Sequence, residues 1–331
     1  GIHFLTGYES GYCRRFGNVQ SNNRNLLPLA ESAGKKLETV SRKLDMPVHV
    51  VDLKRDFKEL VVDYFVNSYQ ECKTPNPCLV CNPAIKFGSL LRQAQDLGAS
   101  ALATGHYARL VRNGYSCHLL EGVDKHKDQS YFLAFLNQSQ LRKALFPLGD
   151  MTKSQVKALA EKEGLMPVTD SESQDVCFIR SKSYREFLGD LISAEPGPIR
   201  DTSGKLIGEH QGLHLFTVGQ RRGINCPACE PYYVAKLDPK TNTLVVGFKK
   251  DLYRMNCRVE KIHWILRPPE KDLAVRTRLR YRHKAVPSRI FPEDDKKRVV
   301  VRFESPQGAI TPGQGAVFYR GEEVIGGGWI E

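Results

Sequence analysis

Apolar residues along the chain follow two rhythms. Ala33, Leu37, Val40 and Leu44 recur at helical spacing and are followed by "VHVVDL" (residues 48 to 53), an apolar run of strand length. "GIHFL" at the start reads as another strand. Phe57, Leu60, Val61, Tyr64 and Phe65 predict a second helix, and Phe87, Leu90, Leu91, Ala94 and Leu97 a third. "ALAT" (101 to 104) then reads as a short buried strand. Strands alternating with amphipathic helices predict an α/β domain with a parallel sheet, whose ligands sit beyond the carboxyl ends of the strands. That rule singles out Gly105 and His106.

Asn113-Gly114 between "YARLVR" and "YSCHLLEG" predicts a hairpin. Two helices should follow. The second is capped by Thr152 and Gln155, turns Val156, Leu159 and Ala160 inward, and ends at Gly164. A last helix, "SYREFLGDLI", opens with Ser183 and Glu186 in the same capping arrangement. At Pro196-Gly197-Pro198 the pattern changes to short alternating strands separated by turn signals. The expected organisation is therefore an α/β domain over residues 1–189 and two small β-rich modules, 190–255 and 256–331.

Composition narrows the class. An apolar share of 41%, with no apolar run near the ~20 residues of a membrane span, predicts a soluble protein. Nine scattered cysteines in a chain this long do not suit a secreted disulfide framework, so a cytoplasmic protein with free thiols is expected. The net charge of +12, most of its excess after residue 190, suits either a phosphate-bearing partner or a lysine-rich solvated surface. Gly1 stands where a start Met would be and the first strand is already under way, so an N-terminally truncated sequence is expected.

Candidate chemistry centres on "TPNPCLVCN" (74 to 82), whose prolines are expected to hold Cys78 and Cys81 in a non-helical turn. Zinc, a disulfide, an iron–sulfur cluster and sulfur transfer all use such a pair. A structural zinc site needs four ligands, and the other close pair, Cys226 and Cys229, lies far away in a β-rich region. Taken alone, Cys177, in "SESQDVCFI", reads more as a buried core residue than as a third working thiol. In "AVRTRLRYRHK" the residues Arg276, Arg278, Arg280, Arg282 and Lys284 alternate with apolar ones, predicting one strand face with a row of cations and nothing acidic between them.

"TPNPCLVCN", "IKF" (85 to 87), "ATGHYARL", "DKHKDQSYFL", "LFPLGDMTKSQVKALAEKEGL", "SQDVCFI", "GEHQGLHLFTVGQRRG", "PYYVAKLD" and "TPGQGAVFY" together resemble the bacterial tRNA-specific 2-thiouridylase family over nearly the whole chain. The resemblance implies a Rossmann-like PP-loop catalytic domain, a small central domain and a C-terminal antiparallel β-barrel. It also implies an ATP- and Mg²⁺-dependent replacement of the C2 oxygen of the tRNA wobble uridine by sulfur from a donor protein or sulfide. Carried onto matching positions, it makes Cys177 the persulfide bearer and Cys81 its transient disulfide partner, and puts Gly105 at the nucleotide. Asn76, Pro77 and Cys78 fall where the target base is held, and His106, Lys127, Asp128, Gln129, Arg280, Tyr281 and Gln314 fall on tRNA contacts.

Two departures stand out. The family's Ser-Gly-Gly-Val-Asp-Ser nucleotide loop does not occur in this sequence, which fits either truncation or a tRNA-binding protein without catalysis. The family commonly carries aspartate where this chain has Cys78, so Cys78, Cys81 and Cys177 could together ligate three irons of a [4Fe-4S] cluster, as in related PP-loop thiolases, in place of cluster-free persulfide chemistry.

Overall fold

The computed structural model describes residues 1–8, 31–165, 176–179, 183–189, 191–293 and 297–331, with residues 31–36 described at the backbone only. Residues 171–175 of the "SESQDVCFI" stretch and the side chain of Ala33 lie outside the described residues.

The described strands of the N-terminal part are β1 (Ile2–Leu5), β2 (His49–Asp52), β3 (Leu102–Ala103), β4 (Ala108–Asn113), β5 (Ser116–Glu121) and β6 (Ala144–Leu145). β1 pairs with β2 and β3 with β6, both in parallel, as the alternation of strands and helices predicts. Helix α1 (Glu31–Lys43) precedes β2. Helix α2 covers residues 54–70 with a π-helical middle turn, Lys58–Val62, and buries Phe57, Val61, Val62, Phe65 and Tyr69. Leu60 is turned outward instead.

Helix α3 departs most from expectation. It runs over residues 77–96, α-helical in Pro77–Cys81, π-helical in Asn82–Leu90 and α-helical again in Leu91–Asp96. Cys78 and Cys81 are thus helical and not in a turn. Pro77 occupies the first turn, where its missing N–H would have had no partner and its fixed φ suits the helix, and Asn76 stands at the N-cap position. Leu79, Ile85, Phe87, Leu90, Leu91 and Ala94 are buried, each large one contributing about 1.5–3 kcal/mol to the core. Leu97, beyond the helix end, is exposed.

The capping box at Thr152 and Gln155 forms at the head of helix Lys153–Lys162, yet that helix buries none of its residues and Leu159 faces out. β4 and β5 form a hairpin whose register pairs Asn113 with Ser116, so Gly114 and Tyr115 make the turn, with Gly114 at φ 56°. The hairpin does not join the parallel strands. β5 pairs with the last strand of the chain and extends the C-terminal sheet.

The central part is a four-stranded sheet of β7 (Gly197–Asp201), β8 (Leu206–His210), β9 (Tyr233–Asp238) and β10 (Thr243–Gly247), with β7 and β10 parallel. It encloses its own core of Ile199, Leu213, Phe216, Ile224, Val234, Leu244 and Val246. The C-terminal part holds β11 (Tyr253–Trp264), β12 (Leu273–Arg278), β13 (Val286–Pro292), β14 (Val299–Gly308), β15 (Gly315–Arg320) and β16 (Glu323–Ile330). These six close into an antiparallel barrel because β11 pairs with both β14 and β16. Closure removes the exposed edges of the sheet. The expected row of cations does not share one strand: β12 ends at Arg278, and Arg280, Arg282 and Lys284 lie in the connection to β13.

Candidate active site

Cys78 and Cys81 stand three positions apart on the first turn of α3 and so share a face. Burial pushes the Cys78 thiol up to about 11; nearby Cys177 adds to the rise and the Lys86 ammonium opposes it. Burial pushes the Cys81 thiol up to about 12, with Lys86 lowering it and Cys177 and Cys78 raising it. The three sulfurs therefore lie within electrostatic reach of one another. Cys177 itself is an exposed residue, next to the packed Phe178. Among the described residues no group of three or more His, Cys, Asp or Glu is placed to hold a metal ion.

Lys86 was not foreseen as a site residue. It lies five positions after Cys81, a spacing that in an α-helix points well away, but the i→i+5 bonding of the π-helical stretch turns it back towards the cysteines. Its Nζ is 3.3 Å from His106 Nε2, and His106 Nδ1 is 2.7 Å from Thr104 Oγ1. Burial pushes His106 well below its ordinary pKa, with Lys86 adding to the fall, so the ring is neutral. The Lys86 ammonium then donates to Nε2, and Nδ1–H donates to the threonine oxygen. His106 is buried against Phe146 and props Lys86.

Lys86, Thr104, Gly105, His106 and Gln129 line a cleft of about 800 Å³ that opens between β1 and β3. The volume is that of an ordinary small-ligand site. At Gly105 a Cβ would meet only Leu148, at 3.7 Å, so the backbone there is open to a ligand's approach, as expected just past a parallel strand.

The "KDQ" triplet divides. Lys127 is half-buried. Asp128 is 3% exposed and accepts from Gly122 N (3.0 Å), Ser130 N (3.1 Å) and Ser130 Oγ (3.1 Å), while Arg278 Nη1 pairs with it at 2.9 Å. Gln129 Oε1 accepts from Tyr107 N at 3.0 Å. Arg276 pairs with Glu121 at 3.2 Å, so two of the five cations in the row have carboxylate partners, contrary to the expectation from sequence. Arg280, Arg282 and Lys284 are exposed. Tyr281 is half-buried and stacks on Phe132 with centroids 4.3 Å apart. Asn76 is buried, and its N–H donates to Tyr64 Oη at 3.4 Å. Gln314 points at the cysteine helix, its Nε2 donating to the carbonyls of Thr74 (3.0 Å) and Pro75 (3.1 Å). Cys226 and Cys229 lie in the central part and do not join the three thiols.

Family models match consecutive stretches of the chain: a tRNA methyl transferase HUP domain over residues 12–181, a tRNA methyl transferase PRC-barrel domain over 185–248 and an aminomethyltransferase beta-barrel domain over 254–330. The tRNA-specific 2-thiouridylase MnmA of Desulfosudis oleivorans is 47% identical, with 99% of this chain and 87% of that relative covered. The MnmA of Syntrophotalea carbinolica is 44% identical over 88% of this chain and 83% of its own, and MnmA 2 of Syntrophus aciditrophicus 41% identical over 88% and 92%. Three successive domain matches and identity at this level over nearly the full length leave one assignment: the chain belongs to the tRNA-specific 2-thiouridylase MnmA family.

Proposed function

We propose that this protein is a tRNA-uridine 2-sulfurtransferase that uses ATP with Mg²⁺ to activate the C2 oxygen of a wobble uridine and delivers sulfur to C2 from a persulfide on Cys177. The observation that carries this reading is the meeting of two buried helical thiols, Cys78 and Cys81, with the exposed Cys177 and the Lys86 cation beside a nucleotide-sized cleft. A surface thiol is the one a sulfur-donor protein can reach. The buried pair is sheltered from solvent sulfur chemistry. No described helix is long and apolar enough to cross a membrane, and a reducing cytoplasm, where tRNA and free thiols coexist, suits the chemistry.

The steps balance as follows. Adenylation of the C2 oxygen releases pyrophosphate. The terminal sulfur of the Cys177 persulfide bonds to C2, and the C2–oxygen bond breaks with AMP as leaving group. The Cys81 thiolate then attacks Cys177 Sγ, and the S–S bond breaks towards the sulfur on C2, which keeps the electron pair as the thiocarbonyl. A Cys81–Cys177 disulfide remains, so two thiols have supplied the two electrons that reduce the sulfane sulfur, and an external dithiol restores them. Gly105 offers backbone to the nucleotide, and Lys86 supports the Cys81 thiolate. Asn76, Pro77 and Cys78 face the target base at the head of α3, and Arg280, with its neighbour Tyr281, meets the RNA backbone.

Single-turnover thiolation of tRNA by anaerobically purified variants tests this assignment. Cys81→Ser and Cys177→Ser should abolish 2-thiouridine formation, since each thiol has a separate covalent task, whereas Cys78→Ser should retain at least a tenth of the parental rate. Loss of activity in Cys78→Ser together with loss of bound iron would replace the persulfide route by a cluster.

A further inference from the structure

The 311–315 turn of the barrel, "TPGQG", is pressed against the entry to the cysteine helix. Thr74 N donates to Pro312 O at 2.9 Å, and the Gln314 amide spans the next two carbonyls, Thr74 O and Pro75 O. Gln314 is itself fixed: its N–H donates to Thr311 O and its carbonyl accepts from Ile330 N at 2.9 Å, tying it to the last barrel strand. Gly313 stands at φ 86° with a Cβ position 2.8 Å from Lys73 Cβ and 3.0 Å from Thr74 N, so a side chain there would lift the turn off the segment. At Gly315 a Cβ would run into Leu79, the fully buried residue between the two cysteines, and lie 3.1 Å from the Tyr131 hydroxyl, which donates to Gly315 O. The central part joins the same junction, with Thr74 Oγ1 donating to Thr217 Oγ1 at 3.1 Å and Thr311 Oγ1 to Val218 O at 3.4 Å.

We infer that Gln314 is a positioning residue for the sulfur-transfer thiols: its side-chain amide holds residues 74–75 to the barrel and so sets the first turn of α3, where Cys78 and Cys81 sit. The prolines at 75 and 77 remove two backbone N–H groups from this segment, leaving its carbonyls to be satisfied from outside. The one amide that reaches two successive carbonyls is the barrel's. On this reading the C-terminal barrel completes the catalytic helix and is more than an RNA platform. The inference rests on the thiolase reading for its consequence in catalysis, but not for the clamp itself.

The test is thiol labelling of the full chain without ATP or tRNA, with iodoacetamide at pH 8.5 and peptide mass spectrometry. Gln314→Glu keeps the size and removes the donor, and Gln314→Ala removes both. Cys257 is the internal reference: it lies on β11 of the barrel and burial pushes its thiol up to about 12, as for Cys81. In both variants the labelling of Cys78 and Cys81 relative to Cys257 should rise at least fivefold, and thiolation at saturating tRNA should fall at least fivefold with KM for tRNA within twofold of the parent. An unchanged labelling ratio overturns the inference whatever happens to RNA affinity, and a raised KM with unchanged kcat would make Gln314 an RNA contact instead. If labelling rises in a protein whose parent forms no 2-thiouridine, the clamp stands and the thiolase reading fails.

Discussion

Arg278 and Arg280 are two residues apart in a basic stretch, yet the fold largely buries one and exposes the other, and exchanging each for a neutral residue should separate stability from binding. Arg278 is 11% exposed at its side chain and pairs at 2.9 Å with Asp128, whose side chain is 1% exposed. Arg278→Met keeps an unbranched apolar side chain but removes the guanidinium that lies over the Tyr319 ring, leaving a buried carboxylate without its cation. Breaking a buried pair in this way costs about 3–5 kcal/mol. Asp128 retains donors from Gly122 and Ser130, so the lower end applies, about 3 kcal/mol. At roughly 2–4 °C per kcal/mol for a protein of this size, the midpoint of thermal unfolding should drop by about 6–12 °C. Asp128→Asn combined with Arg278→Met replaces the pair by neutral groups and should recover at least half of the loss. tRNA affinity of Arg278→Met, measured well below its midpoint, should stay within twofold of the parent. Arg280→Ala should do the reverse: an unchanged midpoint, weaker tRNA binding, and a slope of log affinity against log salt shallower by roughly 0.7–0.9 for one lost phosphate contact. A stable Arg278→Met that binds tRNA weakly would refute the reasoning.

Three further outcomes follow from the site and its surroundings. Lys86→Met removes the cation that lowers the Cys81 thiol, so Cys81 labelling at pH 9 should slow at least threefold, and faster labelling would place Lys86 as a lid and not a charge partner. The Glu322 carboxyl is held down to about 2 by hydrogen bonds from Lys125 and Arg109 and their charges. A depressed acid stabilises the fold above its unfolded pKa and loses that contribution as pH falls through the folded one, so Glu322→Gln should be less stable than the parent at pH 7, by under about 1 kcal/mol for so exposed a group, with the gap closing between pH 4.5 and pH 2 in urea melts. Gly315→Val should destabilise the chain by at least about 1–3 kcal/mol through overpacking against Leu79 and Tyr131, read as a lower urea midpoint.

Local rules read the parts of this chain whose structure is decided locally. The parallel strands, the helical stripe Phe57, Val61 and Phe65, the capping box at Thr152 and the place of Gly105 all follow from spacing and propensity, and all are present. The misreading at Pro77 was also local. A proline forbids a helix interior, but after an N-cap such as Asn76 it is a favoured first residue, so "NPC" signals a helix start as readily as a turn. What no spacing could supply is a partner brought from far along the chain. Asp128 and Arg278 are 150 residues apart, and Gln314 and Thr74 are 240 apart. Read alone, each looks like a surface polar group available to RNA. The hairpin β4–β5 illustrates the same limit at the level of sheets, since its alternation fixes which residues face inward but not which sheet edge it joins.

These long-range partners also explain why the cysteines are so differently placed within one site. Cys177 is an exposed residue on a short segment whose next residue, Phe178, is packed in the core. Cys81 is helical and sheltered, and a sheltered thiol is guarded from the oxidants that a thiolate in solvent would meet. Burial pushes the Cys81 thiol up to about 12, and the Lys86 ammonium already beside it offsets only part of that rise. Lys86 is held in that place by a neutral His106 that does not compete for its charge, and is turned towards Cys81 by a π-helical stretch, so the cation and the sheltered thiol are fixed together by one helix.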